Sequence, residues 1–322
     1  MKYWPKAQKE GWKRLAGWDF HQATTVSQEP ECRILAERVT SPPRVSVIIP
    51  VHNDANALQL SLARWLNQKS QFSYEVIVVD DGSDDQVFEK VSQQFDIAGS
   101  DYRFLRLDRP QRRVAGDRQF RAGVVRNVGA SFARGEVLIF ADSDILVPSG
   151  SLEATALAAR SGSLSQARRL QLTKWPDENR ADDELRTQVD PDYSPYWRDF
   201  QSNPLPWNQV KSRWKYVSTF YLSLTKKDFF DLGWFRKNYV QYGCEDTDLG
   251  WRAQQSNFGF NLLDLEVFHL PAGELRSEYQ NDFEIKRRLL APAFVQLYRN
   301  VLDNEVFDEL VEPHADLIPE RG

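Results

Sequence analysis

Val137-Leu-Ile-Phe-Ala-Asp-Ser-Asp144 decides the fold: an uninterrupted apolar run ends in two carboxylates one residue apart. A short run of this kind is a strand buried on both faces. Asp142 and Asp144 then stand together at its carboxyl end, where open α/β sheets place their ligands. Two hard carboxylate oxygens suit Mg2+ or Mn2+, and a divalent ion brings a phosphorylated partner. Alone, an Asp-x-Asp is more often a helix cap or a solvated turn, so the flanking sequence separates the readings.

On the amino side, Arg44–His52 is a first buried strand, and Asn53 or Asp54 caps the helix after it. Leu58, Leu62, Trp65 and Leu66 give that helix one apolar face. Tyr74–Val79 is a second strand, closed by Asp80-Asp-Gly-Ser-Asp-Asp85, where Gly82 supplies permissive backbone and Asp80 shapes the turn. Val87, Val91 and Phe95 recur at helical spacing, and Tyr102–Leu107 is a third strand. Residues 108–120 form an arginine-rich loop, and Arg121–Arg134 a helix stopped by Gly135 as a left-handed cap. Strands alternating with helices imply a parallel sheet with right-handed crossovers.

On the carboxyl side, residues 151–160 are helical. The polar stretch 161–213, with Pro176, Pro191, Pro195, Pro204 and Pro206, reads as an irregular insertion. Lys215–Leu224 resumes a strand, Lys226–Leu232 is a short helix, and Gly243–Arg252 opens another with acids in its first turn. Leu262–His269 is a last strand, followed by amphipathic helices from Glu274 to Leu310. The expected organisation is a leader over 1–43, a main domain over 44–272 and a helical extension over 273–322.

Hydrophobic residues at 41% and charged residues at 27% describe a globular chain, and a net charge of −5 carries no nucleic-acid footprint. Two cysteines, Cys32 and Cys244, form neither a metal cluster nor a disulfide framework. The first ten residues lack an apolar core and no stretch is long enough to span a membrane, so a cytoplasmic protein is expected. Lys2, Lys6, Lys9, Lys13 and Arg14 interleave with Trp4, Trp12 and Trp18. The favoured reading packs this arm on the main domain; the alternative is peripheral membrane contact through residues 1–20.

Four blocks stand in one order: Val45-Ser-Val-Ile-Ile-Pro-Val-His-Asn53, Val78-Val-Asp-Asp-Gly-Ser83, Ala141-Asp-Ser-Asp144 and Gly243-Cys-Glu-Asp-Thr-Asp248. Together, over roughly residues 44–270, they resemble the family 2 glycosyltransferases of the GT-A fold. The resemblance implies an α/β fold with a Rossmann-like, mostly parallel sheet and helices on both faces, the 161–213 insertion lying on the acceptor side. It implies transfer of a sugar from a nucleotide diphosphate donor to a carbohydrate or glycoconjugate acceptor, usually with inversion. Pro50, Val51 and His52 match the strand that cradles the nucleobase, and Asp81 the acid that hydrogen-bonds uracil. Arg121 matches a basic residue near the nucleotide, and Asp142 the carboxylate near the ribose. Asp144 matches the metal ligand, His269 a further ligand, and Asp246 the catalytic base beside Glu245. Mn2+ is the metal implied, Mg2+ the second choice.

The chain departs from commoner patterns in carrying His52 where Tyr is usual and in lacking a Gln-x-x-Arg-Trp signature, which argues against a processive synthase. Its Glu-Asp block is similar to that of galactosyl- and hexosaminyl-transferases, which implies a UDP-hexose or UDP-N-acetylhexosamine donor. A sugar nucleotidyltransferase is the competing enzyme, but Val51-His-Asn-Asp-Ala55 is not its Gly-rich phosphate loop. The other competitor is a GT-A-fold binding protein without turnover. Among Arg112, Arg113, Arg118, Arg121 and Arg126, one or two are expected at a diphosphate and the rest on a solvated face. Trp175, Trp197, Trp207 and Trp214 are either an acceptor platform or insertion packing. Cys244, flanked by acids, is expected to be inert, and Asp248 to support its helix.

Overall fold

The computed structural model describes residues 31–84, 86–96, 100–109, 120–177, 180–190, 207, 210, 213–239, 243–271, 293, 296, 297 and 300. Strand β1 (Cys32–Arg38) precedes β2 (Val45–Val51), helix α1 (Ala55–Leu66), β3 (Tyr74–Asp80), α2 (Val87–Asp96) and β4 (Asp101–Leu107). Helix α3 (Ala122–Phe132) leads into β5 (Val137–Ala141), then β6 (Ile145–Leu146), α4 (Ser151–Ala158), β7 (Ser163–Gln171) and α5 (Asp182–Arg186). A 3-10 turn (Arg213–Tyr216), β8 (Tyr221–Thr225), α6 (Lys226–Asp231), α7 (Glu245–Gln255) and β9 (Gly259–His269) follow.

The described strands join in one sheet of order β1-β4-β3-β2-β5-β8-β7-β9-β6. Strands β4, β3, β2 and β5 are parallel neighbours, as are β7 and β9. The pairings of β1 with β4, β5 with β8, β7 with β8 and β6 with β9 are antiparallel. The parallel block turns the carboxyl ends of β2, β3 and β5 to one edge, so His52, Asp81 and Asp142 leave the sheet there. Tyr221 lies opposite Ala141, which brings Thr219 and Phe220 to the same edge from the start of β8.

Unbroken apolar strands demand cover on both faces, and they have it. Ile48, Ile77, Val79 and Phe140 pack with Val125 and Ala130 of α3 and Leu249 of α7. Val47, Ile49, Val76, Val78 and Ile139 face Leu58, Leu62 and Trp65 of α1 and Val91 and Phe95 of α2. Helix α3 lies close on β2: a Cβ at Gly129 would come 2.5 Å from Ile48 Cγ2. Gly135 is not in the left-handed region. It is small because a Cβ there would meet the Ser46 backbone nitrogen at 2.6 Å. The helix itself stops at Phe132, with Ala133 already extended.

Two stretches differ from expectation. Residues 32–38, placed in the leader, are an edge strand paired with β4. Within the supposedly irregular 161–213, residues 163–171 form the strand β7, and a bridge between Leu172 and Val189 continues the order beyond it. Strand β7 is mostly polar, and β1 leaves Ile34 and Leu35 exposed at the sheet edge, so in both the pairing partner rather than buried apolar content determines the conformation. The resumed strand begins at Tyr221, after a 3-10 turn, not at Lys215. Trp214 is buried against Trp251, ring centroids 5.0 Å apart, and Trp207 donates to Phe260 O, so these two serve packing. Trp175 is partly exposed. Residues 1–30, Trp197, Arg112, Arg113, Arg118 and most of the 273–322 extension lie outside the described residues.

Candidate active site

Pro50 and Val51 are buried within β2, and His52 is the first residue past it. The His52 ring lies nearly parallel to Phe120, with centroids 6.2 Å apart and planes 13° apart. Burial, with the Arg109 cation adding to it, pushes the His52 pKa down to about 4, so the imidazole is neutral near pH 7. Asp80 is buried in its turn, accepting from Ser83 N and Oγ and from Arg106 Nη1. Burial raises its pKa.

Asp81 and Arg121, expected separately at the nucleotide, bind each other. Arg121 N donates to Asp81 Oδ2 at 2.9 Å, and its guanidinium to Oδ1 through Nε at 2.9 Å and through Nη2. Arg109 Nη2 adds 2.6 Å to Oδ2, and its Nε donates to Asp81 O. A carboxylate offers about four acceptor positions, and all of those on Asp81 are filled. Gly82, at φ +64°, lets the Arg109 stem pass: a Cβ there would sit 2.8 Å from Arg109 Cγ.

Carboxylate–imidazole side. After β5 the chain turns, Ile145 N donating to Asp142 O at 3.3 Å. Ile145 then pairs with His269, and Leu270 N donates to Asp144 O at 2.9 Å. Asp144 Oδ2 and His269 Nε2 stand 3.5 Å apart, both side chains mostly buried. A buried carboxylate oxygen facing an imidazole nitrogen is a donor pair that Mn2+ tolerates well. Among the described residues no group of three or more His, Cys, Asp or Glu side chains could hold a metal.

Acid pair. Gly243 and Cys244 both take positive φ, 93° and 68°, in the turn that delivers Glu245 and Asp246 to the first turn of α7. Positive φ at the non-glycine Cys244 is uncommon and marks a locally strained turn. Burial and the neighbouring carboxylates push the Cys244 thiol well up, the direction expected of an inert cysteine. Glu245 is buried, and its pKa is raised to about 7, first by burial and then by Asp246, against the pull of Arg126. Burial also raises Asp246. Asp246 Oδ1 accepts from Thr247 N at 2.7 Å and Oδ2 from Thr219 N at 3.4 Å. Asp248 is wholly buried and accepts from Arg236, Arg252, Tyr239 and Asn300, a support for α7.

Arg126 joins the two acidic groups. Its Nη2 donates to Asp142 at 2.6 Å and its Nη1 to Glu245 at 2.8 Å. Arg121 and Arg126 are each 3% exposed, so these two members of the arginine cluster are not on the solvated face expected for most of it. A signal was present in the sequence. Arg126 is a lone cation inside Gly123-Val-Val-Arg-Asn-Val-Gly-Ala130, a helix otherwise small and apolar, where a charge needs a buried partner. Asn127 beside it exchanges hydrogen bonds with the Phe235 backbone, N–H and carbonyl both. A pocket of about 360 Å3 opens there, lined by Asn127 and residues 233–238. No helix among the described residues is long and apolar enough to cross a membrane.

Residues 46–169 match the family described as glycosyl transferase family 2. The chain is 23% identical over 239 residues to a chondroitin synthase of Escherichia coli, covering 68% of this chain and 33% of that one. It is 26% identical over 227 residues to the validoxylamine A glucosyltransferase of Streptomyces hygroscopicus subsp. jinggangensis, covering 65% of this chain and 51% of that one. The chain thus spans about a third and about half of these relatives. Among solved structures, a mannosyltransferase from Pyrobaculum calidifontis in complex with GDP-Man and Mn2+ matches with TM-score 0.54 at 17% identity, over 97% of this chain and 76% of that one. S. aureus TarS in complex with UDP-GlcNAc matches with TM-score 0.53 at 16% identity, over 85% and 73%. At such identities the likeness shows the fold, a GT-A sheet with its helices.

Proposed function

We propose that this chain, whose residues 46–169 match the family 2 glycosyltransferases and whose sheet is that of the GT-A fold, moves a sugar from a nucleoside diphosphate to a hydroxyl acceptor, with inversion and with Asp246 as general base. The observation that carries the proposal is the Arg126 fork. It links Asp142 of the turn after β5 to Glu245 of the α7 helix start, which supports reading both acid groups as one site. A UDP-hexose or UDP-N-acetylhexosamine is the favoured donor. The TarS complex holds a sugar nucleotide of that class, whereas the mannosyltransferase complex holds GDP-Man.

Each residue has a part. The neutral His52 ring beside Phe120 offers a flat apolar wall for a base. Asp81 reaches a uracil N–H only if one of its arginine partners, Arg109 or Arg121, yields an acceptor position. Asp142 meets the ribose while retaining Arg126. Asp144 and His269 would hold Mn2+, or Mg2+ in second place. That ion, when bound, would supply charge stabilisation to the departing diphosphate, of order several kcal/mol. Asp246 takes the proton of the acceptor hydroxyl. Its Oδ1 is fixed by Thr247, while the long bond from Thr219 leaves Oδ2 able to accept.

A thermal-shift panel of UDP-, GDP-, dTDP- and CDP-sugars, with and without Mn2+, tests the reading, because a ligand of the native state raises its melting point. A Mn2+-dependent rise with one donor is expected, lost in Asp144→Asn and in His269→Ala. Asp246→Asn should keep that rise and lose transfer. Near-normal turnover in Asp246→Asn would remove the base assignment, and silence across the panel in both binding and transfer would remove the activity.

A further inference from the structure

We propose that Arg126 is a positioning residue that couples the donor side to the base: one guanidinium, forked between Asp142 and Glu245, holds the acidic pair of α7 against the turn after β5. This rests on the reading of Asp246 as the base.

The geometry supports a built coupling. Arg126 is buried, so its charge is not shared with water. Two of its nitrogens address two carboxylates from different elements, at 2.6 Å and 2.8 Å. A fork of planar donors does this where a lysine could not. Its carbon end lies 5.9 Å from the Phe235 ring, whose backbone Asn127 clamps on both sides. Gly123 lets the elements close up: a Cβ there would come 3.3 Å from Glu245 Cγ.

The charges around the pair show why a cation is needed. Glu245 and Asp246 are neighbours at the start of α7; Glu245 feels the charge of Asp246, Asp246 feels that of Asp142, and Asp248 lies one turn on in the same helix. Asp248 is already met by Arg236 and Arg252, while Arg126 feels Asp142, Glu245 and Asp246 at once. Thr219 and Thr247 bring only N–H and hydroxyl donors. Without Arg126, the buried Glu245 and the partly exposed Asp142 and Asp246 would be left without their shared cation, and the pair would keep a proton to higher pH. A protonated Asp246 takes no proton from an acceptor.

The test reads the pair directly. Carbon-13 carboxyl shifts of labelled Asp and Glu are followed against pH in wild type, Arg126→Gln, Arg126→Lys and the double variant Arg126→Gln/Glu245→Gln. An opposite charge at this range moves a carboxylate by about one to three pH units. The Glu245 titration, in contact with Arg126, should rise by that much in Arg126→Gln; the Asp246 titration should move in the same direction there, stay closer to wild type in Arg126→Lys, and fall back in the double variant. The double variant also removes the unpaired buried charge, so it serves if Arg126→Gln alone does not fold. The acid limb of kcat/KM should follow the same order, with kcat reduced in Arg126→Lys because a single ammonium does not hold both carboxylates. Titrations unchanged in folded variants, with only the melting point lowered, would reduce Arg126 to a structural tie. Failure of the parent reading is separate: wild type would then show the same carboxyl titrations and transfer no sugar.

Discussion

Glu245 and Asp246 are adjacent acids in a buried helix start, and their common pKa rise makes the site pH-sensitive. As the proposed base, Asp246 must be ionised to act, and burial raises its pKa, so kcat/KM should fall on the acid side with a limb above the ordinary aspartate range, approaching tenfold per unit below the limb. Glu245→Gln removes the repelling neighbour while Arg126 remains, so its acid limb should lie below that of wild type; a limb at the wild-type position would disprove the coupling. Asp246→Asn should cost about 100- to 10,000-fold in kcat, the usual worth of a general base. Asp248→Asn, two residues on, should behave otherwise. It leaves Arg252 and Arg236 without their buried partner, which typically costs about 3–5 kcal/mol, read by denaturant melts. The acids were legible in the sequence because each follows a strand or opens a helix at a motif position. Their partners were not. That Arg121 and Arg109 fill the acceptor positions of Asp81, or that Arg126 faces two carboxylates, depends on which elements meet. An arginine on a helix reads alike whether buried or wet.

At the scale of elements, apolar strands announced themselves and polar ones did not. Val45–Val51 is buried at every position and its composition says so. Ser163–Gln171 carries Ser, Gln and Arg yet is a full strand, because β9 runs beside it over nearly its whole length. Cys32–Arg38 escaped for the same reason, as a charged, half-exposed edge where such residues discourage further pairing. Gly135 was legible as a glycine that matters, but the wrong constraint was read: the need is for close approach to β2, not for positive φ. The same closeness sets a prediction for α3. Gly129→Ala adds a methyl 2.5 Å from Ile48 Cγ2, in the sheet-facing row of the helix that carries Arg121 and Arg126. Helix propensity would favour alanine, yet overpacking costs about 1–3 kcal/mol and should win. A melt of Gly129→Ala no lower than wild type would mean that α3 does not lie this close on β2.

For the whole molecule, the raised acids at the start of α7 work against the stability of the fold. Folded, Glu245 keeps its proton up to about pH 7, against an ordinary glutamate at 4.5. Between those values the folded chain binds a proton that the unfolded chain has released, so stability from this group is complete below about 4.5 and declines as pH rises to 7. Asp80 and Asp246 shift the same way, both chiefly through burial. Asp101 is the counterexample: donors from Thr40, Arg134 and Ser41 outweigh its burial and lower its pKa. Its contribution is in place above 3.8 and fades only in more acid solution, so it offsets nothing near neutrality. The melting point should therefore fall from pH 5 to pH 7.5, and fall less in Glu245→Gln, which has no proton to lose. The difference in slope should amount to a few degrees, since each kcal/mol is worth about 2–4 °C in a domain of this size. Parallel slopes for the two proteins would mean that Glu245 is already ionised at pH 5. The range in which Asp246 becomes able to act would then carry no cost to the fold.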